Sequence, residues 1–226
     1  MPENYFGEDV AARYDEETEG FEPAVLNPTV DFLVELVNGG AALELGIGTG
    51  RVAIPLAQRG ARLRAKPGAE QIGATIGDFA TTALDRTFTL AYLVCNTIMN
   101  LTTQDAQVAC FQNVAAHLEP GGCFLIEVVL PDLKGEKLRI FDFSDKHVGI
   151  DEYDVAVQGL ISHHYTKREG TFDYSWGPFR YVWPSELDLM AQMAGMTPRE
   201  RWSGWKREPF TSVSEKLVGV WEKPAT

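Results

Sequence analysis

The chain has 226 residues, 45% of them hydrophobic, which suffices for one α/β domain or for one domain with a modest insertion. Its 20 lysine and arginine residues stand against 32 aspartate and glutamate residues, and the formal net charge of -12 would repel a polyanion such as nucleic acid. The N-terminus carries no basic region followed by an apolar stretch, and no window reaches the length of a membrane span, so we expect a cytoplasmic protein with no membrane partner.

The first predicted elements are a helix, a strand and a second helix. The stretch LNPTVDFLVELVNG has apolar residues at helical spacing, with Asn27 and Pro28 suited to begin the helix and Gly39 suited to end it. The apolar run AALEL predicts a short strand that enters a glycine-rich turn, and RVAIPLAQRG predicts a helix directly after that turn.

The next predicted elements alternate in the same way. ATIGDF and FTLAYLVCN predict strands, TTQDAQVACFQNVAAHLEPGG predicts a helix that ends at two glycines, and CFLIEVVLP predicts another strand. These strands are almost continuously apolar, as a parallel sheet covered on both faces requires. The three cysteines, Cys95, Cys110 and Cys123, lack metal-ligand spacing, so we expect reduced core thiols and no metal site.

The sequence pattern changes after residue 131. Period-two stretches separated by glycines predict antiparallel strands over residues 151–184. SELDLMAQMAG then predicts a helix with Ser185 as N-cap and Gly195 as the residue after its end, and SEKLVGVWEKP predicts a final strand.

The glycine turn is the clearest functional signal. Three closely spaced glycines between a strand and a helix N-terminus let a ligand approach the backbone and its unpaired N–H groups. The spacing is G-x-G-x-G over Gly46, Gly48 and Gly50, two residues after Glu44. A dinucleotide fingerprint would place its third glycine at the position of Arg51, which disfavours a nicotinamide-dependent oxidoreductase.

ELGIGTG, followed in order by GDF, LVCNTIMNL and HLEPGGCFLIEV, resembles the class I S-adenosylmethionine-dependent methyltransferases over roughly residues 41–131. The resemblance implies a Rossmann-like, mostly parallel seven-stranded sheet with helices on both faces. To this we add a small antiparallel β insertion toward the C-terminus. We expect an N-terminal arm and helix over residues 1–40, the cofactor-binding core over 41–131, and an acceptor-pocket region with the end of the sheet over 132–226.

The resemblance also implies a set of cofactor-binding residues. S-adenosylmethionine would be the methyl donor and S-adenosylhomocysteine the product. The positions that match the family are Tyr14, Glu44, Gly46, Gly48, Gly50, Asp78, Phe79 and Asn96. Each also has a structural interpretation: the glycines as a tight turn, Glu44 as a strand-end acid, Asp78 as a turn or cap residue, and Asn96 as a local backbone binder.

The sequence departs from the family after Gly60. The family has a second strand ending in a ribose-binding acid, then a helix, but only the residues of ARLRAKPGAEQ precede the strand predicted at Ile72–Ile76. A strand, a helix and their turns need about twenty residues or more. We therefore expect the second strand, most of its helix and the acid to be absent near residues 60–62, with 61–71 forming the last turns of a helix. Either the protein lost this segment or the sequence lacks residues that the protein has.

Methyl transfer depends mainly on orientation and proximity, so no fixed catalytic triad is required. A small-molecule acceptor with an oxygen or nitrogen nucleophile is the preferred partner, because NTIM lacks the D/N-P-P-Y sequence typical of amino-directed DNA methyltransferases. A general base is expected at His163 or His164, at most one of which faces the pocket, since strand neighbours point to opposite faces. Aromatic residues suited either to the acceptor site or to the core are Phe172, Tyr174, Trp176, Phe179, Tyr181 and Trp183.

The alternative function is a catalytically silent methyltransferase fold that serves as an interaction or regulatory domain. A genuinely absent second strand would favour it, because the ribose acid would be lost. Binding of S-adenosylhomocysteine rather than NADH distinguishes the methyltransferase from this silent domain and from a nicotinamide-dependent oxidoreductase.

Overall fold

The computed structural model describes residues 23–60, 62–63, 72–133, 137–168 and 170–225. The helices are α1 (Pro23–Val37), α2 (Ala53–Gln58), α3 (Gln104–His117) and α4 (Pro184–Met193), with a 3-10 turn at Thr97–Asn100. One sheet contains β1 (Ala41–Glu44), β2 (Arg62–Leu63), β3 (Phe88–Leu93), β4 (Leu118–Val129), β9 (Thr197–Trp202) and β10 (Lys216–Glu222). A second sheet contains β5 (Leu138–Phe143), β6 (His147–Asp154), β7 (Gly159–Arg168) and β8 (Thr171–Arg180).

The first sheet is mixed, with the strand order β2-β1-β3-β4-β10-β9. Strands β2, β1, β3 and β4 are parallel, whereas β10 runs antiparallel to both of its neighbours. The α/β class and the antiparallel insertion are confirmed. Within the residues that the structure describes, this sheet has six strands rather than the seven predicted.

Helices cover both faces of the first sheet because successive strand residues point in opposite directions. On β3, Leu90 and Tyr92 pack in a cluster with residues of α1 and α2, whereas Ala91 and Leu93 pack in a second cluster with residues of α3 and α4. All four strand residues are fully buried. The continuously apolar strands therefore pack against two hydrophobic cores, one on each face of the sheet.

The region after Gly60 differs from the sequence prediction. Arg62 and Leu63 form a strand parallel to β1, where we expected the end of a helix and no second strand. Two residues of a second strand are thus present beside β1. Residues 73–76, predicted as a strand, are not one, although Ile72 forms a single β-bridge. Residues 73–76 have no neighbouring strand long enough to pair with. The local sequence pattern cannot show whether such a partner exists.

Several element ends also differ from the predictions. Helix α1 begins at Pro23 and contains Pro28, and the N-cap of α4 is Trp183 rather than Ser185. Gly195 follows α4 with a φ of +76°, which confirms its predicted place beyond the helix end. Cys95 is exposed, so the prediction of a core thiol is wrong for this residue.

The second sheet is antiparallel throughout and, within the residues that the structure describes, packs on the α3/α4 core near one end. Tyr153 and Leu160 are buried there, and Phe179 packs against the same cluster. Among the described residues, no helix is both long and apolar enough to span a membrane.

Candidate active site

The glycine turn lies where β1 ends and α2 begins, and its backbone requires glycine. Gly46, Gly48 and Gly50 have φ values of +70°, +54° and +85°, a region that other residues rarely adopt. A Cβ on Gly46 would lie 2.6 Å from Cγ2 of Thr97, so the turn packs tightly against the 3-10 turn that follows β3. A Cβ on Gly48 would meet nothing within 4 Å. The turn therefore has one close-packed side and one open side that a ligand can approach.

Glu44 is a half-buried acid at the base of this turn. The Tyr92 hydroxyl donates a hydrogen bond of 2.9 Å to its Oε2. Burial raises the pKa of Glu44 to about 7, against the lowering effects of the Tyr92 hydrogen bond, the Arg51 charge and the Ala53 backbone N–H. A cation bound next to Glu44 would favour its ionised form.

The GDF turn is fixed from two directions. Oδ1 of Asp78 accepts a hydrogen bond of 2.8 Å from the Ala80 N–H, so Asp78 acts at least as a turn residue. From α3, Nδ2 of Asn113 donates to the carbonyl oxygens of Phe79 and Thr82, at 3.1 Å each. The helix thus holds Phe79 at a defined place beside the sheet.

The ends of β3 and β4 are joined by side chains. Oδ1 of Asn96, a residue with a φ of +61°, accepts a hydrogen bond of 2.6 Å from the Val129 N–H. Oε2 of Glu127 accepts one of 2.6 Å from the Cys95 N–H, and burial raises the pKa of Glu127. Asn96 therefore binds local backbone, one of the two roles considered from the sequence.

A cavity of about 250 Å³ connects the glycine turn with the GDF turn. Glu44, Gly46 and Ile47 line it from the side of β1, and Gly77 and Phe79 line it from the other side. The structure thus brings three of the residues predicted from the sequence, Glu44, Gly46 and Phe79, to one cavity at the carboxyl edge of the parallel strands, the place where open α/β sheets bind ligands.

The two candidate bases, His163 and His164, lie on opposite faces of β7. His163 pairs across the sheet with Trp176, its Nδ1 is 2.8 Å from the Tyr174 hydroxyl, and its Nε2 is 3.4 Å from Oε2 of Glu152. That face carries the exposed aromatic residues of β8. His164 lies on the face that also carries Leu160, which packs in the core. Burial is the main cause that lowers the pKa of His164.

Tyr14 lies outside the described residues. The sequence also did not reveal four residues that shape the site. Tyr92 and Glu127 are polar residues that interrupt otherwise apolar strands. This interruption of the apolar pattern was the sequence signal that could have identified them as site residues. Asn113 and His117 lie one turn apart on α3, and Nε2 of His117 accepts a hydrogen bond of 2.7 Å from the Leu84 N–H.

The site fits the two halves of S-adenosylmethionine. The open side of Gly48 gives backbone access. The half-buried carboxyl of Glu44 favours a neighbouring positive charge, and the amino acid half of the cofactor carries such charges on its amino group and its sulfonium. The cavity beside Phe79 offers an apolar surface to the nucleoside half. In the described residues no cluster of histidine, cysteine or acidic side chains is arranged to hold a metal ion.

Comparisons with known proteins agree with this site. No protein-family model matches the chain. A cypemycin N-terminal methyltransferase from a Streptomyces species is 26% identical over 207 residues, 83% of this chain and 84% of that protein. The CcbJ methyltransferase from Streptomyces caelestis has a TM-score of 0.82 at 29% identity, with 96% of each chain covered.

The likeness to a further structure concerns the fold. CalS10, an amino pentose methyltransferase from Micromonospora echinaspora solved with bound S-adenosylmethionine, has a TM-score of 0.69 at 18% identity, covering 99% of this chain and 100% of its own. Its strands and those described above share one architecture. Together with the glycine turn and its half-buried acid, these findings show an S-adenosylmethionine-dependent methyltransferase whose fold is similar to that of the class I enzymes.

Proposed function

We propose that the acceptor is an aliphatic amine on a small natural product, such as an amino sugar or the α-amine of a short peptide. The name of the cypemycin N-terminal methyltransferase specifies an amine acceptor, and CalS10 is named for an amino pentose substrate, which supports the choice of nitrogen over oxygen. The chain itself transfers the methyl group of S-adenosylmethionine to a small molecule.

The observation that carries the cofactor assignment is the glycine turn with an open side at Gly48. We propose that Gly46, Gly48 and Gly50 allow the methionine half to approach the backbone, and that Glu44 holds its amino group. Asp78 and Phe79 flank the adenine, Asn96 borders the methionine half, and Tyr14 covers the sulfonium. When bound, the cofactor supplies a methyl carbon activated by positive sulfur, and the residues of the chain orient the acceptor and exclude water.

Of the two histidines, His164 is the better candidate for acid-base chemistry. It shares its face of the second sheet with core residues such as Leu160, whereas His163 shares its face with exposed aromatics. The domain boundaries at 40 and 131, a seventh strand in the sheet and a cytoplasmic location belong to the same proposal.

Calorimetric titration with S-adenosylhomocysteine tests the cofactor site. We expect one-to-one binding, and a Kd at least tenfold higher for Gly48→Val, because the new side chain would occupy the open side of the turn. Gly39→Val is the matched control: Gly39 has a φ of +75° and equally free surroundings, but it lies at the end of α1. The control carries similar backbone strain, about 1–2 kcal/mol, and should bind normally.

The acceptor class is tested with methyl glucosaminide and trialanine, by the mass gain of one methyl group after incubation with S-adenosylmethionine. Methylation at nitrogen of either probe supports the proposal. Normal S-adenosylhomocysteine binding without methylation of an amine would mean that the acceptor class is wrong, and absence of binding would favour the silent interaction domain.

A further inference from the structure

A continuous chain of hydrogen bonds crosses one face of the second sheet. Nδ1 of His147 is 2.6 Å from Oδ2 of Asp142, and Nε2 of His147 is 3.0 Å from Nδ1 of His164. Nε2 of His164 is 3.2 Å from the Ser162 hydroxyl, which donates to Oδ1 of Asp151 at 2.8 Å. Five side chains from three strands, β5, β6 and β7, thus form one chain, and we call it the Asp142–Asp151 chain.

A β-bulge supplies the outer end of the Asp142–Asp151 chain. The pairing of β5 with β6 shifts between Ile140 and Asp142, so Phe141 is the extra residue and Asp142 pairs with Gly149. Bulges re-aim side chains, and here both Phe141 and Asp142 contact His147. The Phe141 ring also lies 5.5 Å from the His164 ring, and a Cβ on Gly149 would come within 2.2 Å of it. The bulge and the glycine therefore place an aromatic cover over the imidazole pair.

The number of protons in the Asp142–Asp151 chain follows from its bonds. Four hydrogen bonds need four protons. With both carboxylates ionised and both imidazoles neutral, the groups hold three: one on each imidazole and one on the Ser162 hydroxyl. The fourth proton completes the chain either on His147, beside Asp142, or on Asp151. All four bonds exist in both arrangements, so moving the excess proton from one end to the other breaks none of them.

The two ends lie in different surroundings. The Ser162 residue is only 7% exposed, and Asp151 beside it is influenced by Tyr153, which packs in the α3/α4 core. Arg139 acts on Asp151 and lies 4.0 Å from Asp132, just beyond the carboxyl end of β4. At the other end, the side chains of Asp142 and His147 are 45% and 24% exposed. The inner end is thus related through Arg139 to the segment that follows the carboxyl end of β4, and the outer end reaches solvent.

We propose that the Asp142–Asp151 chain carries the proton released by the acceptor from Asp151 to solvent at Asp142, an inference that rests on the proposed amine acceptor. Methylation of a neutral amine forms one N–C bond, breaks the donor C–S bond with its electron pair left on sulfur, and leaves one proton in excess. Asp151 accepts that proton, Ser162 and His164 pass one on, and His147 releases one through Asp142. Protons are conserved, and no further reactant is needed.

Substitution of Ser162 tests this path, since its hydroxyl joins the two halves. With methyl glucosaminide and trialanine as probes, we expect Ser162→Ala to lower kcat about a hundredfold. The KM for S-adenosylmethionine and the Kd for S-adenosylhomocysteine should stay within twofold, and Ser162→Thr, which keeps the hydroxyl, should restore most of kcat. Ser175→Ala is the matched control, because Ser175 pairs with His164 across the sheet but is exposed and is not part of the chain.

Nuclear magnetic resonance tests the continuity of the chain without any acceptor. The protein has four histidines, so spectra of the 15N-histidine-labelled protein are simple to assign. We expect Ser162→Ala to move the titration midpoint of His147, which Ser162 does not touch, whereas Ser175→Ala leaves it in place. The other groups acting on Asp151 and His164, namely Arg139, Tyr153 and His163, are unchanged in both variants.

The outcomes separate this inference from the proposed function. An unchanged kcat in Ser162→Ala, or an unchanged His147 titration, overturns the proton path even if an amine is methylated. If the unmodified protein does not bind S-adenosylhomocysteine, the proposed cofactor site is overturned instead. If cofactor binds but neither probe is methylated, the titration of His147 alone decides whether the chain is continuous.

Discussion

Glu44 is an acid whose charge changes in the neutral pH range. Its pKa in the folded protein is about 7, above the ordinary value of 4.5, because burial disfavours the ionised form. Between these two pH values the folded protein keeps a proton that the unfolded chain has lost. The free energy of unfolding therefore falls as the pH rises through this window.

Glu44→Gln removes that contribution while keeping an acceptor for the backbone N–H and a partner for Tyr92. We expect urea denaturation at pH 5 and pH 8 to show a loss of stability that is about 1–3 kcal/mol smaller in the variant than in the unmodified protein. Glu35→Gln is the control, since the Glu35 side chain is 59% exposed. Equal pH dependence in all three proteins would contradict the raised pKa.

Individual residues of the site were only partly predictable from the sequence. The glycines and Glu44 form a local pattern that motif spacing detects. The Tyr92 hydroxyl that binds Glu44 belongs to a residue 48 positions away, and only the parallel pairing of β1 with β3 brings the two together. The position of the Asp142 side chain could not be predicted from the sequence either, because its orientation depends on a bulge in the pairing of β5 with β6.

At the scale of elements, a buried polar cluster joins the second sheet to α3 and α4. Arg180 is 5% exposed, donates to Glu186 at 2.7 Å and to the Gln107 side chain, and Gln158 donates to Glu186 at 2.8 Å. Although burial raises the pKa of Glu186, the hydrogen bonds from Arg180 and Gln158 lower it overall. Two helices, α3 and α4, and strand β8 thus depend on one guanidinium group.

Arg180→Ala would leave the fully buried Gln107 and the carboxylate of Glu186 without their main partner. We expect the free energy of unfolding in urea to fall by about 3–5 kcal/mol. Arg168→Ala, which removes a more exposed pair with Asp173 on the same hairpin, should cost less than about 1 kcal/mol. Similar losses in the two variants would show that the buried cluster has no special role.

Long elements with strong periodicity were predicted well, and short elements at the sheet edge were not. Strands β3, β4 and β10 are mainly apolar in their central parts and lie between two strands, so pattern and environment agree there, although β4 also takes in residues 118–122, predicted as the end of a helix. Arg62–Leu63 is a strand only because β1 offers its free edge, and residues 73–76 lack such a partner. Pairing of this kind is a property of the assembled sheet.

At the scale of the whole molecule, the net charge of -12 distinguishes substrate from product. S-adenosylmethionine has a net positive charge, whereas S-adenosylhomocysteine is neutral overall, so the acidic protein attracts the former more at long range. We expect the Kd of S-adenosylmethionine to rise severalfold between about 20 and 500 mM NaCl, because salt screens this field. The Kd of S-adenosylhomocysteine should change little. Parallel salt dependence of both ligands would exclude an effect of net charge.

The one-ended attachment of the second sheet has a mechanical consequence. Strands β7 and β8 have ten residues each, roughly 33 Å in length, and the core holds them near Leu160 and Phe179. The hairpin is therefore a lever with its fulcrum beside the 3-10 turn that follows β3. A rotation of about 3° at the fulcrum moves the far tip by roughly 2 Å over that length. Small changes in packing at the fulcrum are thereby amplified at the far tip of the hairpin.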